Sequence, residues 1–299
     1  ALTSGFENGF ERVRAAVEHR EPDRVPRFEI WIDALLDELG QSDPISAYVN
    51  LGQDCVMLPA LNPPHSNAWR NGVDEWGRVW QDGMYVEGVV DTEADLEKYS
   101  PPLAYVEQLW DGDRVQKVRH AYPDHCLIYG THIGPFTAGF MAMGFERFFL
   151  RLVEDPDFVH RLLEARTAWC IALYQKAVSL GADVLVLGDD AGHSKGPIIS
   201  PRMWREFVLP YHRQIVASLD VPVIWHSDGN VEALLPMAIE AGFTGFHSLE
   251  PAAGMDLARI KRAFGRDLVL IGNVDVRVLC ESDLEAVRRE IDRCIEQGA

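Results

Sequence analysis

The amino-acid sequence predicts an α/β protein built as a (β/α)8 TIM barrel, and three observations carry that prediction. From about residue 103 onward, short apolar runs alternate regularly with amphipathic stretches, the pattern of a parallel sheet with helical crossovers. The runs are almost continuously apolar, as in strands covered on both faces. Polar side chains able to do chemistry gather where those runs stop, and α/β barrels keep their sites at the C-terminal ends of the strands.

Taken in order, residues 6–20 carry apolar side chains at helical spacing, and Glu21-Pro-Asp-Arg-Val-Pro26 breaks the pattern, so an N-terminal helix precedes the sheet. A first strand is expected over 27–31, helices over 33–39 and 44–50, each stopped by a nearby glycine, and a second strand over 54–58. From 63 to 102 the pattern changes to Pro63-Pro64, an Asp74-Glu-Trp-Gly-Arg-Val-Trp80 run and a turn at Asp82-Gly83. That stretch reads as a β-hairpin excursion too short to bury its own core. A helix over 103–121 leads to a strand over 126–130, and a helical region over 136–180 is interrupted at Asp155-Pro156. Strands over 183–187, 221–225, 244–248 and 268–271 then alternate with helices over 201–219, 231–241 and 255–264. A last helix over 282–297 opens on a Ser282/Glu285 capping box. Seven core strands result, so an eighth is expected beyond Ala299. A single barrel domain spanning 1–299 is the expected organisation, since one barrel takes about 250 residues.

Composition narrows the function classes. A formal net charge of −18 argues against nucleic acid or an anionic membrane surface as partner, because phosphate binding needs clustered Lys and Arg. Five cysteines without a Cys-x-x-Cys pair fit reduced thiols in a cytoplasmic protein. No apolar run is long enough to cross a membrane.

Five strand ends deliver the candidate site: Thr131 and His132; Asp189, Asp190 and His193; His226, Asp228 and Asn230; His247 and Glu250; Asn273 and Asp275. In a barrel they share one mouth. Asp189 and Asp190 are expected to handle protons or orient a substrate, since two carboxylates in one mouth repel and one becomes a proton donor or half of a metal-ready pair. The bland reading gives one of them to a turn and the other to a helix cap. His226 and Asp228 can offer an N and an O ligand from one strand end, with Glu250 or His247 as a further ligand. His132, His193, Asn230, His247 and Asn273 are expected to line the mouth and bind substrate. His212 and four other histidines on helices or at strand starts are left out of the site. No Gly-x-Ser-x-Gly, Cys-His arrangement or P-loop is present, which lowers acyl transfer and nucleotide hydrolysis as candidates.

Particular strings carry a family resemblance: Glu11-Arg-Val with Glu21-Pro-Asp-Arg-Val-Pro26, Asp74-Glu-Trp-Gly77, Gly188-Asp-Asp190, Ile199-Ser-Pro-Arg-Met-Trp204, Phe207-Val-Leu-Pro210, His226-Ser-Asp-Gly-Asn230 and Gly272-Asn-Val-Asp275. Over nearly its whole length the chain resembles the uroporphyrinogen decarboxylase superfamily, which includes that decarboxylase and the methyltransferases of corrinoid-dependent methyl transfer. The resemblance implies a barrel with a funnel-shaped site and a homodimer. Decarboxylases of the superfamily carry Arg-Gln-Ala-Gly-Arg after the first strand, where this chain has Phe28-Glu-Ile-Trp-Ile-Asp-Ala-Leu-Leu36. The methyltransferase branch holds zinc through His-x-Cys and a later Cys; here His226 is kept and Asp228 replaces the Cys. Oxygen ligation makes a harder site, suited to an ether or alcohol oxygen more than to a soft thiol. The leading expectation is therefore a methyltransferase moving a methyl group between a small methylated compound and the corrinoid of a separate partner protein, with zinc at His226, Asp228 and Glu250. The alternatives are a decarboxylase acting on a porphyrinogen and a non-catalytic barrel that binds a small ligand.

Overall fold

The computed structural model describes residues 8–28, 40, 43–58, 71–131, 134–280 and 283–298. Among them the main sheet has six strands: β1 (Cys55–Met57), β5 (Cys126–Thr131), β6 (Val184–Gly188), β9 (Val223–His226), β10 (Gly245–His247) and β11 (Val269–Ile271). Every pairing in it is parallel, and the spatial order follows the chain order. A sheet wound in one direction has no point at which its strand order reverses, and this separates it from the doubly wound nucleotide folds. The strand expected over 27–31 falls mostly outside the described residues, as does the helix expected over 33–39.

Period-two alternation sorts the strand residues into two cores. Cys55, Cys126, Ile128, Val184 and Ile224 form one buried cluster, with Met57, Val186 and Ile271 packed against it. Residues from both outer strands, β1 and β11, thus meet on one face, so the sheet is curled with that face inward. Val13 of helix Gly9–Val17 belongs to the same cluster, with Phe10 and Val17 beside it, and Phe10 N donates to Asp124 O next to the start of β5. The N-terminal helix therefore closes the end of the curled sheet opposite the polar strand ends. Asp54, 2% exposed, fastens the segment that follows: its carboxylate accepts from Arg12, from both terminal nitrogens of Arg24 and from Arg27 N. The opposite strand faces, including Leu127, Leu185, Leu187, Val223, Trp225 and Phe246, pack into the larger core under the helices.

Three differences from the sequence reading have local causes. The excursion is a three-stranded antiparallel sheet, β2 (Asn71–Val73), β3 (Arg78–Gln81) and β4 (Met84–Gly88). It is organised by Asp74, whose carboxylate accepts from Trp76 N, Arg78 N, Arg78 Nε and Trp80 Nε1. The helix expected over 103–121 is a 3-10 turn Leu103–Leu109, a break at Trp110, and helix Gly112–Ala121 capped by Asp111. The helix expected over 231–241 starts instead at Leu235, because Pro236 supplies no N–H and suits only a first turn. No helix among the described residues is long and apolar enough to cross a membrane.

Candidate metal centre

On β9 the inward residue Ile224 is followed two positions later by His226, on the same face and one layer nearer the mouth. On β10 the same spacing takes Gly245 to His247, and the register sets His247 directly opposite His226. The two imidazoles lie with centroids 4.8 Å apart and Nδ1 to Nδ1 at 2.7 Å. That contact needs one proton shared between two nitrogens, one donating and the other accepting. It turns His226 Nε2 toward two carboxylates, each 4.0 Å away: Oδ1 of Asp190 and Oδ1 of Asp228. Ligand atoms of Asp190, His226 and Asp228 all lie within 4.8 Å of one another. Asp228 N donates to Asp190 Oδ1 at 3.2 Å, and Ser248 Oγ donates to Asp228 Oδ1 at 3.2 Å.

The loop between these groups depends on glycine. Gly229 has φ +78°, and a Cβ there would sit 2.4 Å from the Gly192 carbonyl carbon, so the two backbones pass too closely for a side chain. Glu250 Oε2 accepts from Gly229 N at 2.9 Å. Glu250 thus braces the loop and is not in the three-residue group; Asp190 takes the place expected for it.

Asp189 and Asp190 are neighbours with opposite fates. The Asp189 carboxylate is wholly buried and accepts from Thr137 N at 2.7 Å and Phe136 N at 3.3 Å, at the start of helix Pro135–Met143, and from His212 Nε2 at 2.7 Å. Its backbone is tied to β9, since Asp189 N donates to His226 O and Trp225 Nε1 donates to Asp189 O. A Cβ on Gly134 would lie 2.1 Å from Asp189 Cβ. Asp189 is therefore placed in the core behind the mouth, and Asp190, a third exposed, in the mouth. Burial first, and the Asp189 charge second, push the Cys170 thiol well above its usual pKa, which keeps it a packing group.

The remaining candidates are not drawn into the three-residue group. Asn230 Nδ2 donates to Ala253 O and its Oδ1 accepts from Glu232 N. Asn273, 2% exposed, donates to Leu249 O and Met255 O and accepts from Arg293. His193 lies exposed on the two-residue strand β7 (Gly192–His193), with Nδ1 accepting from Lys195 N. His132 lies outside the described residues. Sequence reasoning passed over His212, Thr137 and Ser248. His212 had a usable signal: it is a polar residue in line with Val208, Tyr211 and Ile215 on the buried face of helix Leu209–Ala217. Ser248 had none, because only the strand register brings it to Asp228.

One imidazole and two carboxylates form a borderline-to-hard donor set that fits a divalent ion such as zinc, manganese or iron. Two clustered carboxylates repel each other, and a cation between them removes that cost.

The family model described as uroporphyrinogen decarboxylase (URO-D) matches residues 79–299. Among curated relatives, a methylated-thiol–coenzyme M methyltransferase of Methanosarcina mazei is 28% identical over 247 residues, covering 81% of this chain and 57% of the relative. A methylcobamide:CoM methyltransferase of Methanosarcina barkeri is 27% identical, covering 96% and 88%. A uroporphyrinogen decarboxylase of Photorhabdus laumondii is 27% identical, covering 72% and 62%. Thus the chain spans little more than half the length of the first of these relatives. A solved methyltransferase from Methanosarcina mazei superposes with TM-score 0.78 at 21% identity, over 97% of this chain and 90% of that one, a likeness of fold. The match of the family model over well more than half of the residues places the chain in the uroporphyrinogen decarboxylase family.

Proposed function

We propose that this chain is a methyltransferase of the corrinoid-linked type, a single barrel whose mouth binds a small methylated compound and passes its methyl group to the corrinoid of a separate protein. The observation that carries the reading is the Asp190, His226 and Asp228 group at the strand ends. The names of two relatives, both methyltransferases, support the reaction class. The acidic mouth counts against an anionic porphyrinogen, because the substrate's carboxylates would face unpaired anions.

Asp190 and Asp228 would hold a divalent ion through oxygen and His226 through Nε2. A bound ion would supply Lewis acidity toward the heteroatom of the methyl donor, making that heteroatom a better leaving group as the methyl passes to the corrinoid's reduced cobalt. The chain's own part is to keep the ligands in place: the buried Asp189 carboxylate anchors the backbone just before Asp190, and Glu250 holds the Gly229 turn after Asp228. Without a thiolate ligand the centre suits methyl groups on oxygen or nitrogen more than on sulfur.

The test combines metal analysis with transfer to reduced free cobalamin, offered methanol, an aryl methyl ether, dimethylamine or methanethiol in turn. The expected result is stoichiometric metal and methylation from an oxygen or nitrogen donor, with both lost in His226→Ala. Carbon dioxide release from uroporphyrinogen, with no methyl transfer from any donor, would overturn the reading in favour of the decarboxylase.

A further inference from the structure

We infer that the C-terminal end of strand β10 supplies the support of the proposed metal centre: His247 and Ser248 are positioning residues that set the two ligands at the end of β9, and His247 accepts the Nδ1 proton of the His226 tautomer that can bind an ion. The inference rests on the proposed metal centre and assigns residues outside the ligand group.

The geometry comes from parallel register. His247 is paired with His226 across the β9–β10 ladder, so Ser248 falls beside Ser227 and Asp228. Ser248 Oγ lies 3.4 Å from Ser227 O and 3.2 Å from Asp228 Oδ1. An ion at His226 Nε2 requires the lone pair there, so the ring proton must sit on Nδ1. His226 Nδ1–H then donates to His247 Nδ1 at 2.7 Å, and His247 carries its own proton on Nε2. The same contact fixes the ring plane. Asp228 needs a brace of its own because its side chain is 68% exposed, and an exposed carboxylate otherwise spreads over several rotamers. Hydrogen-bond partners behind metal ligands commonly change affinity by about 10- to 100-fold.

Asparagine is the informative substitution at 247. Its Oδ1 stands near the position of an imidazole Nδ1 and accepts a hydrogen bond, whereas leucine fills the space and accepts none. The probes are Zn2+ alone in a competition titration and Co2+ alone by its visible ligand-field spectrum, with thermal unfolding of the metal-free proteins as the check on folding. His247→Leu is expected to weaken Zn2+ about 10- to 100-fold and alter the Co2+ spectrum at an unchanged midpoint. His247→Asn should restore affinity to within about threefold of wild type, and Ser248→Ala should lose about fivefold, the worth of one partly exposed hydrogen bond. Unchanged affinity in His247→Leu overturns the inference. Equal losses in the Leu and Asn variants also overturn it, since the imidazole would then be a ligand itself. Wild-type protein that takes up neither ion removes the proposed metal centre along with this inference, whereas wild-type uptake with indifferent variants removes the inference alone.

Discussion

Replacing Asp189 by alanine separates a buried brace from a proton-handling group. The carboxylate has no exposure, and its loss leaves Thr137 N, Phe136 N and His212 Nε2 without their acceptor. A buried donor stranded in this way costs about 1–3 kcal/mol. The 3.3 Å bond to Phe136 counts for less than the two at 2.7 Å, so the expected destabilisation is about 3–5 kcal/mol. Against a typical stability of about 5–15 kcal/mol that is roughly a fifth of the total or more. Equilibrium unfolding in urea, read as a shift in midpoint at constant slope, measures it. Asp189→Asn keeps one acceptor oxygen but sets an NH2 group against a donor, so it should fall between alanine and wild type. Gly134→Ala should be destabilising too, because its Cβ would lie 2.1 Å from Asp189 Cβ. If Asp189→Ala keeps its stability to within about 1 kcal/mol and loses activity alone, the carboxylate works in the mouth and the buried-brace reasoning fails.

Two further outcomes follow from groups away from the centre. Asp54→Ala leaves Arg24 and the Arg27 amide without this acceptor while Arg12 keeps its ion pair with Asp23, and should cost about 1–3 kcal/mol; faster hydrogen exchange in helix Gly9–Val17 would report it, and unchanged exchange there would contradict the fastening role. At the C-terminal end, the side-chain hydrogen bond from Arg293 holds Glu290 below its usual 4.5, and Arg277 holds Asp275 below 3.8. Carboxylates with depressed folded pKa values contribute stability above their unfolded values and lose it as pH falls through the folded ones. Exchange in helix Leu284–Gly298 should therefore be flat from pH 7 to 5, once corrected for intrinsic rates, and rise below about 4.5; protection that persists to pH 2 would rule out the linkage.

The sequence by itself determined the alternating elements, the burial of the strands on both faces, and the convergence of polar residues at one end of the sheet. These follow from periodicities of two and 3.6 and from proline and glycine punctuation, which are local properties of the chain. It also marked strings such as Asp74-Glu-Trp-Gly77 and Glu21-Pro-Asp-Arg-Val-Pro26 without saying what they do. The structure makes them a turn knotted around the Asp74 carboxylate and an ion-paired strap on Asp54. Membership of the Asp190, His226 and Asp228 group was not legible. Asp189 and Asp190 are adjacent and chemically alike, and the His212 imidazole, 23 positions away on a helix, together with the amides of Phe136 and Thr137, draws one into the core and leaves the other at the strand ends. Glu250 looked as good a ligand as Asp190 until the Gly229 amide claimed it. Distances of 2.7 Å and 4.0 Å between side chains from different strands depend on register and curl, which only the assembled sheet decides.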